Sequence, residues 1–185
     1  MNSAEYPPET DGQILCRECG LCCTGHFFTW VGLDSAEIAS ALTLGLFVEQ
    51  YTETDRANFH QPCPLWNRWC TIYAHPDKPH TCSAWECKML QGLKNGDVNL
   101  DQALMLVQQT KALILELEQE LPSGQNGNFR QRLASSIVEL EKNHPDGGAE
   151  AGQTLLKAGI LLSYYSRRFG IIDLFNQTMG ENSGG

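Results

Sequence analysis

Apolar residues recur at helical spacing through the second half of the chain and only in short pieces through the first. Over residues 100–121, Leu106, Leu113 and Leu117 fall on one side of a helix and Leu104, Val107 and Ile114 on another, among strong helix formers. That pattern predicts a helix buried on more than one face. Pro122 and the Ser-Gly-Gln-Asn-Gly-Asn run behind it end the helix. A second helix is predicted over about 129–143, where Leu133, Ile137 and Leu140 stand at i, i+4 and i+7. It stops before His144-Pro145-Asp146-Gly147-Gly148. A third, over about 149–168, carries Leu155, Leu156, Ile160, Leu161 and Tyr164, and a short apolar segment follows at 171–175. The tail, 179–185, is expected to be disordered.

The first half offers weaker periodicity. Residues 1–13 read as a flexible leader, since Tyr6-Pro7-Pro8 and the polar residues after it have nothing to bury. Phe27-Phe28-Thr29-Trp30-Val31 is rich in aromatic and β-branched residues and predicts a short strand. Asp34, with Glu37 three residues on and Ile38, Ala41 and Leu42 behind, predicts a capped helix over 34–44 that Gly45 stops. Residues 46–62 are mixed and carry no assignment. Across 61–87, Pro62, Pro64, Pro76 and Pro79 interrupt any regular element, and residues 66–73 suit a hairpin. Such a segment is held by crosslinks or ligands more than by periodicity. The implied fold is mainly α with an irregular cysteine-rich lobe, a small α+β arrangement with a helical C-terminal half. A composition shift near residue 95 separates a cysteine-cluster domain, 14–95, from a helical, bundle-like region, 96–178, with a shared core left open.

Charge narrows the class. The 185 residues carry 13 Lys plus Arg against 22 Asp plus Glu, a net charge of −9. Neither half is basic: residues 1–100 hold 6 against 12 and residues 101–185 hold 7 against 10. A nucleic-acid surface would need a basic stripe, and none is present. The N-terminus has no positively charged segment followed by an apolar run, so neither a secretory signal nor a membrane anchor is expected there. No apolar segment is long enough to span a bilayer. A reducing cytoplasm is the expected location, which favours metal ligation over disulfides for the cysteines.

All eight cysteines lie in the first half: Cys16, Cys19, Cys22, Cys23, Cys63, Cys70, Cys82 and Cys87. Thiolates are soft ligands for zinc, copper(I) and iron-sulfur clusters. Two residues between cysteines let both sulfurs turn toward one ion, and Cys16, Cys19 and Cys22 repeat that spacing as a cluster loop does. The run lacks a fourth ligand. His26 is the nearest in register, and Cys63-Pro64 carries a Cys-Pro pair farther on; spacing chooses neither. Cys22 and Cys23 are adjacent, and neighbouring side chains tend to point to different sides of the backbone, which suits two sites of four thiols each. Cys23 as a small buried hydrophobe is the plainer alternative. Cys82 and Cys87 form a second half-site, with Cys63 and Cys70 completing it or mixing with the first run. His75 and His80 are competing ligands. The four tryptophans, Trp30, Trp66, Trp69 and Trp85, suit a small aromatic core beside the site.

Cys16-x2-Cys19-Gly20-x-Cys22-Cys23, the Asp34-Ser35-Ala36-Glu37-Ile38 helix start, Cys63-Pro64-Leu65, Cys70-Thr71-Ile72-Tyr73, Lys78-Pro79 and Cys82-x4-Cys87 together resemble the YkgJ-type CxxCxxCC cysteine-cluster family. The resemblance covers about residues 14–90. It implies a zinc- or iron-chelating domain, often described as containing an iron-sulfur cluster, and a related cysteine motif is associated with a flagellin lysine methylase. Family members usually carry Arg-Pro where this chain has Lys78-Pro79, which keeps the charge and loses the guanidinium fork.

Three functions follow as expectations. The first is a metal-binding protein whose eight cysteines hold an iron-sulfur cluster, 4Fe-4S favoured over Zn2+, for redox, sensing or structural use. The second is a zinc-stapled interaction module with the long helices as the surface for a protein partner. The third, an enzyme or accessory protein for side-chain modification, has the least support: no Gly-rich nucleotide loop after a predicted strand, GxSxG or HExxH occurs. Glu18, Glu86, Asp77 and Arg68 lie near cysteines in sequence and read first as surface charge.

Overall fold

The computed structural model describes residues 9–51, 56–122, 128–143, 148–172 and 178–179. It is mainly helical with one small sheet, and its C-terminal half is helical.

The first element is a helix whose opening residues, 11–13, fall on the end of the expected leader. Helix α1 (Asp11–Cys19) starts from a capping box in which the Thr10 side chain accepts from the Gln13 amide and the Gln13 side chain returns to Thr10. It ends at Gly20, whose φ of 65° reverses the chain. Leu15 is its one buried residue, so amphipathic patterning does not announce it. Residues 1–8 of the expected leader lie outside the described residues.

Strand β1 (Trp30–Leu33) begins near the end of the expected 27–31 strand, because Phe27 and Phe28 are spent as buried anchors in the approach to it. Asp34 and Glu37 do form a capping box, opening a 3-10 turn (Ser35–Glu37) that runs into helix α2 (Ile38–Thr43). The unassigned 46–62 region supplies β2 (Val48–Gln50) and β3 (Ala57–His60). Strand β3 pairs antiparallel with β1, from Trp30 opposite His60 to Leu33 opposite Ala57, and with β2 on its other side. A short β4 (Thr178–Met179) adds parallel to β1, giving the order β2-β3-β1-β4. These two residues fall across the expected start of the tail; 180–185 lie outside the described residues.

In the expected hairpin at 66–73 only the Trp66–Cys70 bridge forms. Two short helices follow, α3 (His80–Ala84) and α4 (Lys88–Asn95). The helical half then appears much as its periodicity predicts: α5 (Leu100–Glu120), α6 (Phe129–Asn143) and α7 (Ala149–Tyr164), which continues into a π-helical turn (Tyr165–Phe169). The interruptions expected at 123–127 and 144–147, and residues 173–175 of the apolar segment, lie outside the described residues.

Helix α5 is central, burying Ala103, Val107, Thr110, Ile114 and Leu117, with α1 on one side and α7 on another. One core therefore runs across the composition boundary near residue 95, joining Leu15, Leu21 and Phe27 to Val107, Leu117 and Phe169. Phe27 is the joint: its ring lies 5.1 Å from Tyr165 and 4.9 Å from Phe169, and its carbonyl accepts from the buried Arg130 guanidinium. No helix among the described residues is long and apolar enough to cross a membrane.

Candidate metal centre

The eight cysteines, spread over more than seventy positions of sequence, all line one cavity of about 440 Å³. None is in a disulfide. Backbone geometry explains how each arrives there.

Cys16 and Cys19 lie one turn apart on α1, so both sulfurs leave the same face. Gly20 then turns the chain sharply enough to present Cys22 and Cys23, and Thr24 closes the turn with a 2.9 Å bond from its amide to the Gly20 carbonyl. Only glycine fits at this corner. A Cβ on Gly20 would stand 2.1 Å from Trp66 Cζ2, besides requiring a left-handed backbone.

The second arm is fastened to the first by its backbone. The Cys63 amide donates to the Cys23 carbonyl at 2.8 Å, and the Trp66 amide donates to Cys63 O at 3.1 Å. The loop tightens through Arg68, at φ 64°, to return Cys70 opposite Trp66. Helix α3, which carries Cys82, is pinned to β1 by Thr81 Oγ1 donating to Gly32 O at 2.8 Å. Cys87 caps α4, its sulfur accepting from the Leu90 amide at 3.4 Å.

Burial sets the acid–base character of the thiols. It raises Cys16 and Cys63 above the ordinary thiol value, pushes Cys19 and Cys82 up to about 12 and Cys87 up to about 11, and carries Cys22 and Cys23 well above the ordinary value. Uncompensated thiolate charge is costly in such a place. A cation inside the cavity would supply the compensation, because metal binding takes the thiolate form. Lys78 and Lys94 help from the rim by lowering Cys16, and Lys78 also lowers Cys82 and Cys23.

Neighbouring thiols raise one another in two groups. Cys19 responds to Cys87 and Cys16, and Cys22 to Cys19, Cys23, Cys87 and Cys16, so the two groups meet at Cys22 and Cys23. Cys23 responds to Cys70, Cys63 and Cys82, and Cys82 to Cys63 and Cys70. Cys82 and Cys87, a single half-site by spacing, thus sit in different company. Among the described residues no three His, Cys, Asp or Glu groups converge tightly enough to hold one metal ion; the thiols surround a space.

Among the described residues, no histidine joins the cavity lining. His26 Nδ1 is 2.7 Å from Thr24 Oγ1, with its ring 5.3 Å from that of Phe129. His75 Nδ1 accepts from the Asp77 amide, and the His80 amide donates to Glu37. Of the charged residues near cysteines in sequence, Glu86 lines the cavity and pairs with Lys94. Lys94 itself carries no sequence signal, being placed by α4. Tyr73 also lines the cavity, under the Lys78 ammonium at 4.2 Å from the ring centre. The tryptophans divide: Trp85 packs edge-on against Phe28 at 5.0 Å and Trp66 covers Gly20, whereas Trp30 lies tilted against His60 and Trp69 is exposed.

No protein-family model matches the chain, and no curated protein or solved structure matches it either.

Proposed function

We propose that this chain is a metal-binding protein that holds iron-sulfur clusters, of the 4Fe-4S type, through its eight cysteines. The observation that carries this reading is the gathering of all eight thiols around a single cavity of about 440 Å³. The donors are uniformly soft, and the space among them suits a multi-atom group better than a lone ion. The resemblance of residues 14–90 to the YkgJ-type cysteine clusters points the same way. Shelter by Trp66, Trp85 and the core beneath would set the potential of such a group through solvent access and hydrogen bonds to sulfur. A reducing, cytoplasmic setting goes with this reading and is supported by the eight free thiols.

The donor chemistry also accepts zinc, which would staple the cysteine-rich lobe without redox activity. Apolar side chains left exposed on the helical half, Leu115, Val138 and Leu156, favour a protein partner in that case. The visible spectrum of anaerobically purified protein separates the two. Absorption near roughly 400 nm supports the cluster; a colourless chain with stoichiometric zinc and no labile sulfide overturns it.

A further inference from the structure

We infer that the eight cysteines form two separate four-thiolate sites, Cys16, Cys19, Cys22 and Cys87 in one and Cys23, Cys63, Cys70 and Cys82 in the other, meeting at the Cys22–Cys23 peptide bond. This rests on the metal-binding reading above and assigns its ligands.

Sequence spacing groups Cys82 with Cys87, and the backbone separates them. Helix α3 ends at Trp85, which is extended at φ −77° and ψ 126°. The Trp85 ring is anchored edge-on to Phe28 at 5.0 Å. Chain leaving that anchor does not continue the α3 axis. It enters α4, which packs on α1 so closely that a Cβ on Gly12 would come 3.0 Å from Leu90 Cδ1. Cys87 therefore arrives beside the α1 cysteines and supplies the ligand that the leading run lacks.

The other four are assembled by a different set of bonds. Cys63 is tied to Cys23 through the 2.8 Å amide–carbonyl bond, and Cys70 is returned beside Cys63 by the loop that the Trp66–Cys70 bridge closes. Cys82 is brought to them by α3, which β1 holds through Thr81.

Cys22 and Cys23 cannot easily serve one centre, since successive side chains leave the backbone in different directions. In this arrangement they need not.

The assignment is tested on the anaerobically purified, metal-loaded wild-type chain. A chelator is added, thiols are trapped by alkylation as they are released, and each cysteine is followed by mass spectrometry. The expected result is two release rates, one shared by Cys16, Cys19, Cys22 and Cys87 and the other by Cys23, Cys63, Cys70 and Cys82. A single rate for all eight, or Cys82 moving with Cys87, overturns the partition while leaving metal binding intact. A chain that carries no metal overturns both. In a second arm, Cys87→Ala is expected to keep about half of the wild-type metal with Cys23, Cys63, Cys70 and Cys82 still protected. Loss of that protection with the helical circular dichroism retained also overturns it.

Discussion

The Cys63 amide donates a 2.8 Å hydrogen bond to the Cys23 carbonyl, and this contact fastens the proline-rich arm to the leading cysteine turn. The arm has little else of its own. Between residues 61 and 79 it forms no helix and only an isolated bridge, so its order should depend on what the thiols hold. Chelation is expected to abolish hydrogen-exchange protection of the Cys63 amide while the Ile114 amide, deep in α5, stays protected. Equal protection of Cys63 with and without metal would show an arm that folds unaided.

Gly20 is the most sharply constrained position near the site. In Gly20→Ala the left-handed backbone costs about 1–2 kcal/mol, and the added carbon overlaps the Trp66 indole. Displacing that ring costs about a further 1–3 kcal/mol. Chemical denaturation should therefore show a loss of about 2–5 kcal/mol, with reduced metal content because Trp66 borders Cys63 and Cys70. A change below about 0.5 kcal/mol, within the range of ordinary surface substitutions, would refute the close approach.

Arg130 is 1 % exposed and donates to the Phe27 carbonyl, linking α6 to the residue that joins the two halves of the core. Arg130→Met keeps the long stem and removes the donor. A loss of about 1.5–3 kcal/mol is expected in denaturant unfolding. An unchanged or raised stability would mean that burying the guanidinium costs as much as its bonds return.

His26 gives the fold a pH dependence. Burial lowers its pKa from the ordinary 6.5, with Glu118 opposing and Lys111 assisting. Below about pH 6.5 the unfolded chain takes up the proton before the folded one, so the contribution is complete above that value and is lost as pH falls through it toward the folded pKa. Melting temperature should fall between pH 7.5 and 5.5 in the wild type and fall less in His26→Gln. Parallel profiles for the two proteins would remove His26 as the source.

The helices at 100–120, 129–143 and 149–164 were legible because each carries apolar residues at helical spacing over three or more turns. The Asp34/Glu37 box was legible because a capping pair is local. Helix α1 does not stand out in the sequence although it has a capping pair of its own, Thr10 and Gln13, because Leu15 alone is buried in it. Strands of three or four residues, such as β2 and β3, are too short for alternation to stand out. The candidate site divided in the same way. Its membership is written in the residue type, and all eight cysteines reach one cavity. Their grouping depends on where Trp85 is anchored and which way α4 leaves it, and that is a tertiary matter. Lys94 and Tyr73 join the lining for the same reason.

The most direct measurement is the count of iron and acid-labile sulfide per chain after anaerobic purification. Two four-thiolate sites filled by 4Fe-4S clusters require about eight of each. A value near that, with none of the eight thiols open to alkylation before chelation, is the predicted result. Iron without sulfide, zinc in its place, or a metal-free chain with all eight thiols reactive would contradict it.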